Sequence, residues 1–221
     1  MIIQKKFDYK PLKRIDSGDG RRYIVGEGRP LPSVTTILSK MKDMTHIREW
    51  QERVGINEAN KIKTEAGGLG NSMHKNIERY ILGEDMSGTF MAKALAKVII
   101  KHGLPKVDEI WGSEVSLYSP ELYAGTTDLT GLHEGKPSIM DFKNSLREKK
   151  KEWIEDYFMQ LAAYALSHNE MYGTDINRGV VMIATREAKY QEFVIEGTEF
   201  KHYETMWANK VCAYYDKFGL G

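Results

Sequence analysis

Apolar positions in the first half of the chain recur mostly at helical spacing. Met73, Ile77 and Ile81 fall four apart and make one stripe, as expected of a helix that buries one face. Before them, Ser17-Gly18-Asp19-Gly20 followed by Arg21-Arg22-Tyr23-Ile24-Val25 reads as a hairpin. Ser33 is placed to cap a short helix carrying Val34, Ile37 and Leu38. A helix over about 45–65 is expected to end at Gly67, Gly68 and Gly70, with Asn71 or Ser72 capping the next. Another covers roughly 89–102 and stops at Gly103. The period then shortens. Residues 109–118, 123–132 and 137–143 read as strands, 151–171 as a long helix ended by Gly173, 179–185 and 190–195 as two more strands, and 199–217 as a closing helix. This order predicts a mixed α/β fold: a helical N-terminal part (33–105) after a basic hairpin region (1–32), then a mixed central sheet (106–221) flanked by helices on both faces.

Composition narrows the function more than the fold. The 221 residues suit one domain. A formal net charge of +1 gives no bulk signature of a nucleic-acid binder, so any basic surface must come from local clustering. The single cysteine, Cys212, excludes a disulfide framework, a Cys-rich zinc site and a four-cysteine iron–sulfur cluster. No window approaches 18 apolar residues, and the N-terminus lacks the apolar core of a secretion signal. A cytoplasmic protein without a membrane span is the expectation.

The chemistry concentrates between Tyr123 and Lys143. In a strand, residues two apart point the same way, so Asp141 and Lys143 share one face while Met140 and Phe142 pack on the other. A turn at His133-Glu134-Gly135-Lys136 would fold the preceding strand back and set Asp128 beside Asp141. Two neighbouring carboxylates repel, and a divalent cation relieves that repulsion. Oxygen donors favour Mg²⁺ or Mn²⁺. Such a cation would polarise a phosphate, with Lys143 orienting water or stabilising transition-state charge. An isolated Asp-x-Lys is usually only an ion pair at a strand end; the Gly-Thr-Thr-Asp hairpin before it is what argues for more.

Other candidates divide between function and plain structure. His74 and Glu78 share a helix face, either as a further metal ligand with its neighbour or as a surface pair. Glu114 either faces the cleft or is a solvated strand residue. Trp153, Tyr157, Gln160 and Tyr164 form a stripe suited to stacking against unpaired bases, or the edge of an amphipathic helix. Arg147 and Lys149 lie in a basic run close after Lys143, and a second basic cluster spans Lys5, Lys6, Lys10, Lys13 and Arg14. Charge runs are usually solvated faces, but the first lies close to the proposed cleft and a phosphate backbone could follow it. Ser33, Thr35 and Thr36 could present a helix start to a phosphate, or could merely cap it.

Taken in order, Gly70-x-x-x-His74, Gly125-Thr-Thr-Asp128, Asp141-Phe-Lys143 and Gln160-x-x-x-Tyr164 resemble the motifs of the RecB-like branch of the PD-(D/E)XK nucleases. Leu31-Pro-Ser-Val-Thr35, Tyr123-Ala-Gly-Thr126, Gly135-Lys136 and the run from Gln160 to Ala165 bring the chain nearest to the mitochondrial genome maintenance exonuclease and its phage-encoded relatives. The likeness spans about residues 30–215. Thr127 stands where the family name puts proline. The resemblance implies a restriction-endonuclease-like core in a single nuclease domain. It also implies Mg²⁺-dependent hydrolysis of DNA, with a preference for single strands and free ends and a role in replication, recombination or repair, in company with proteins of those processes. By position, His74, Asp128 and Asp141 would be metal ligands and Lys143 the catalytic lysine, with Gln160 and Tyr164 supporting the site and the scissile strand. The lack of a transit peptide favours a phage or bacterial form. Competing readings are an endonuclease on duplex DNA, disfavoured because no separate recognition domain is evident, and a non-catalytic DNA-binding module, disfavoured because Asp128, Asp141 and Lys143 are intact.

Overall fold

In a computed structural model of the chain, which describes residues 2–219, the alternating segments assemble around one six-stranded sheet. The long strands are β5 (Val107–Ser119), β6 (Tyr123–His133), β7 (Lys136–Ser145), β8 (Arg178–Thr185) and β9 (Tyr190–Glu196), after β1 (Ile2–Ile3), β2 (Lys13–Ser17), β3 (Gly20–Ile24) and β4 (Leu31–Pro32). The sheet runs β1-β5-β6-β7-β8-β9. It is mixed, because β1 pairs parallel to β5 and β7 parallel to β8 while the other pairs are antiparallel. The N-terminus thus joins the central sheet as well as forming the predicted hairpin, β2–β3, which pairs Ser17 with Gly20. That hairpin and β4 make a second, three-stranded sheet.

Helices cover both faces. They are α1 (Val34–Lys40), α2 (Thr45–Val54), α3 (Ile56–Ile81), α4 (Phe90–His102), α5 (Glu155–Tyr172) and α6 (Gly197–Phe218). Met73, Ile77, Leu95 and Ile99 of α3 and α4 pack on Leu129, Met140, Phe142 and Met182. Ile37, Phe158, Leu161 and Trp207 of α1, α5 and α6 pack on Val115, Ile139, Val181 and Ile183. The alternation along β7 therefore distributes its residues between two cores. Among the described residues no helix is long and apolar enough to cross a membrane.

Two helix boundaries differ from the sequence expectation. The chain breaks at Gly55, whose φ of 85° ends α2, and α3 then runs unbroken through Gly67, Gly68 and Gly70. Neither Asn71 nor Ser72 caps a helix; the Ser72 hydroxyl instead donates to the Gly68 carbonyl inside α3. Glycine weakens a helix interior by only about 1 kcal/mol, and the packed stripe from Met73 onward outweighs that. Second, Lys151–Trp153 form a 3₁₀ turn and α5 starts at Glu155, after the buried Ile154. Trp153 therefore stands off the helical stripe on which spacing had placed it.

Candidate active site

The β6–β7 hairpin sets the site. Its turn puts Glu134 and Gly135 at φ 50° and 75°, positive at both central residues as a two-residue hairpin of right-handed twist requires. The register this fixes runs from His133–Lys136 to Leu129–Met140 and stops there. Beyond that pair the two strands part, and the Asp128 carboxylate occupies the fork. Its Oδ2 accepts the Phe142 N–H at 2.6 Å, a backbone donor no longer served by the ladder. Its Oδ1 lies 3.2 Å from Nδ1 of His74, which α3 brings over the fork with its ring edge-on to Phe142.

Asp141 and Lys143 follow on the β7 face that looks toward α5. Asp141 is buried and forms a close ion pair with Lys143. Gln160 of α5 ties the pair together: its Nε2 donates to Asp141 Oδ1 at 2.9 Å, and its Oε1 accepts from Lys143 Nζ at 3.3 Å. The ammonium also sits 5.0 Å from the centre of the Tyr157 ring, a favourable contact with the ring's negative face. Tyr164 is buried against Gly125, where a Cβ would come within 2.7 Å of its ring. Glycine at 125 leaves the space that the Tyr164 ring and hydroxyl occupy.

Glu114 completes the fork from β5. It stands between the pairs Ser113–Leu129 and Val115–Thr127, opposite Asp128, with φ at 52°. A left-handed residue inside a strand is rare outside glycine and costs on the order of 1–3 kcal/mol. Donor atoms of His74, Glu114 and Asp128 all lie within 4.8 Å of one another. Two carboxylates and one imidazole fit a hard or borderline divalent cation. Asp141, expected among the ligands, is engaged with Lys143 and Gln160 and stands outside this three-donor cluster.

Electrostatics reflect the crowding. Burial opposes charge on His74, yet the facing Asp128 carboxylate raises its pKa to about 9. Burial likewise opposes ionisation of Asp128, and His74 outweighs it, holding the carboxyl below the usual range. Asp141 is pushed up to about 6 by burial, with Lys143 resisting and Asp128 reinforcing. Glu114 is exposed at the mouth as a residue, but the cleft walls and then Asp128 push its carboxyl up to about 7. Lys143 is disfavoured as a cation by burial but kept firmly protonated by Asp141 and Asp128.

These groups line one cleft of about 560 Å³. It brings together His74, Glu78, Glu114, Asp128, Asp141, Lys143, Gln160, Tyr164 and Thr35, while Tyr157 reaches it through Lys143. Other candidates lie elsewhere. Trp153 is 62% exposed beneath Lys150. The Lys149 main chain is bonded in both directions to Gln191, and Arg147 is an exposed residue whose carbonyl receives Ser145. Ser33 and Thr36 are buried, and the Ser33 hydroxyl caps the Thr36 N–H, while Thr35 lines the cleft. The cleft also holds residues that sequence reading had not singled out for a site: Arg21, Tyr23, Asn71, Lys75 and Thr126. Thr126 was findable, two positions before Asp128 on the same strand; Arg21 was not, since nothing local ties the hairpin to β6.

No protein-family model matches the chain, and no curated protein matches it. Among solved structures it is similar to SSO0001, with 13% identity and a TM-score of 0.44 over 89% of this chain and 86% of that one. It is also similar to a candidate exonuclease from Eubacterium rectale, at 13% identity and 0.44 over 85% and 73%. An alkaline exonuclease from Laribacter hongkongensis aligns at 12% identity and 0.27 over 66% and 81%.

Proposed function

We propose that this chain is a divalent-metal-dependent deoxyribonuclease of the PD-(D/E)XK kind that degrades single-stranded or flapped DNA from free ends. One observation carries the reading: Asp128, Asp141 and Lys143 meet where β6 and β7 separate, with His74 and Glu114 added to Asp128. His74, Glu114, Asp128 and Asp141 would hold Mg²⁺ or Mn²⁺, which when bound supplies charge against phosphate oxygens and acidifies water. Lys143 contributes a fixed, desolvated positive charge for the phosphoryl oxygens as negative charge builds on them. Gln160 orients both Asp141 and Lys143, and Asp141 would join the other ligands by turning its carboxylate from Lys143 toward the ion.

The test is cleavage of labelled linear single strands, circular single strands and blunt duplex with Mg²⁺, Mn²⁺, Ca²⁺ or chelator. Linear single strands should be degraded with Mg²⁺ or Mn²⁺, poorly with Ca²⁺, and not in chelator; circles and blunt duplex should persist. Undiminished cleavage in excess chelator overturns the metal reading, and rapid cutting of circles converts the enzyme to an endonuclease.

A further inference from the structure

Two buried hydroxyls at the start of α1, those of Ser33 and Thr36, fasten the neighbouring strand β3. Thr36 Oγ1 accepts the Arg21 N–H at 2.9 Å and donates to the Arg21 carbonyl at 3.0 Å. The Ser33 N–H donates to the same carbonyl at 2.9 Å. Because the Thr36 proton goes to Arg21, the Ser33 hydroxyl, 2.8 Å away, donates to Thr36 while accepting the Thr36 N–H. Gly20, at φ 112°, leaves the space that Thr36 fills, since a Cβ there would come within 2.7 Å of Thr36 Cγ2. Two buried hydroxyls and a glycine thus fix the main chain of one residue.

That residue has a partly exposed side chain. Arg21 lines the cleft together with Arg14 from the facing strand of the hairpin. Asp16 gathers the two guanidiniums, lying 2.7 Å from Arg14 and 3.5 Å from Arg21. All three side chains are substantially exposed, and ion pairs of that kind add about 0–1 kcal/mol to stability. Fold stability therefore does not explain why Arg21 is anchored so firmly. The rest of the cleft supplies a reason. Glu78, Glu114, Asp128 and Asp141 make it rich in carboxylates, Lys143 is already committed to Asp141, and Lys75 is the one further lysine among its lining residues, on the same helix as Glu78. A phosphodiester strand entering such a cleft needs cations on another wall. Two guanidiniums with planar donor forks match phosphate oxygens in a way a lysine does not.

We propose that Arg14 and Arg21 form a phosphate-binding subsite on the hairpin wall of the cleft, and that Thr36 and Ser33 are positioning residues that hold Arg21 in place. The ligand class, a phosphate of a single nucleic-acid strand, rests on the nuclease reading above. The subsite gives the buried hydroxyls of Ser33 and Thr36 a role, while Thr35 itself lines the cleft.

The experiment is a salt titration of the full chain's affinity for a labelled single-stranded oligonucleotide, read by fluorescence anisotropy in chelator, beside cleavage in Mg²⁺ or Mn²⁺. Arg14→Ala and Arg21→Ala should each weaken binding about tenfold and flatten the slope of log affinity against log salt by about 0.7, one phosphate contact each. Arg21→Lys should keep the slope and lose affinity, because the charge stays and the fork goes. Thr36→Val should weaken binding and Thr36→Ser restore it. In an Arg21→Ala background Thr36→Val should have no further effect, which a general folding defect would not reproduce. If the wild type binds and cleaves while Arg21→Ala keeps the same affinity and slope, the subsite is wrong and the nuclease reading stands. If binding follows the expected pattern and no cleavage occurs, the subsite stands and the nuclease reading fails. If the wild type cleaves without binding the oligonucleotide in chelator, the subsite is wrong and the nuclease reading stands; if it neither binds nor cleaves, both are wrong.

Discussion

Lys143 is the residue whose removal separates binding from chemistry. It holds no cation in the proposed site, and its ammonium is spoken for by Asp141, Gln160 and the Tyr157 ring. Lys143→Ala should leave most of the affinity for single-stranded DNA in place, because many phosphate contacts share it. The single-turnover rate should fall about 10²–10³-fold, the scale for losing one transition-state stabiliser. Asp141→Ala should differ by lowering Mn²⁺ affinity in calorimetry as well as the rate. A wild-type rate in Lys143→Ala would remove the lysine from the mechanism. Asp128, Asp141 and Lys143 were legible because strand alternation is local: one hairpin and a two-residue period suffice to converge them. Glu114 was not decidable, since its orientation depends on a left-handed backbone that no sequence rule assigns to glutamate. Arg21 was invisible as a cleft residue because the contact placing it there joins segments about a hundred positions apart, the Ser33–Ala124 bridge and the Tyr23–Thr126 hydroxyl pair.

At the scale of elements, the five long strands β5–β9 fall within a few residues of expectation, because apolar alternation, the turn at Gly135 and the helix stop at Gly173 are strong signals in short windows. Helix α3 was misread because three closely spaced glycines mimic a stop, whereas the buried stripe from Met73 to Ile81 commits the helix from its far end. The structure makes that reinterpretation testable. A Cβ at Gly67 or Gly68 would meet nothing within 4 Å, so Gly67→Ala and Gly68→Ala should each raise unfolding free energy by about 0.5–1 kcal/mol. Gly125→Ala should do the reverse, since its Cβ would strike the Tyr164 ring at 2.7 Å and that buried ring has little room to move. Urea titrations of the three variants compare them directly. Destabilisation by alanine at both 67 and 68 would mean that the helix does not run through them.

Across the whole molecule, the N-terminal segment straps the central sheet to the wall of the cleft. It starts as β1 at the sheet edge, passes Phe7 and Tyr9 over His168 of α5, and reaches Leu12 and Arg14, which line the cleft. Its fastening is a neutral histidine. Thr174 Oγ1 donates to Asn169, so it must accept from His168 Nδ1, which leaves Nε2 to accept the Tyr9 hydroxyl proton at 2.8 Å. Burial, with Lys6 adding a smaller effect, lowers the His168 pKa from 6.5 to about 4. The sign follows from linkage. Above pH 6.5 neither folded nor unfolded chain protonates this ring and its full contribution is present. Between 6.5 and 4 the unfolded chain takes up a proton that the folded chain refuses, so stability falls with pH, by about 3 kcal/mol at most. Glu114 and Asp141, with raised values, act in the opposite sense over part of that range, so the wild-type curve alone mixes the effects. The comparison that isolates the strap is wild type against His168→Gln, melted at intervals from pH 7.5 to 4.5. Glutamine can donate to Thr174 and accept from Tyr9 but takes up no proton, so the melting temperature of the wild type relative to the variant should drop steadily below pH 6.5. A difference that stays constant across that range would show that the strap is not held by a neutral His168.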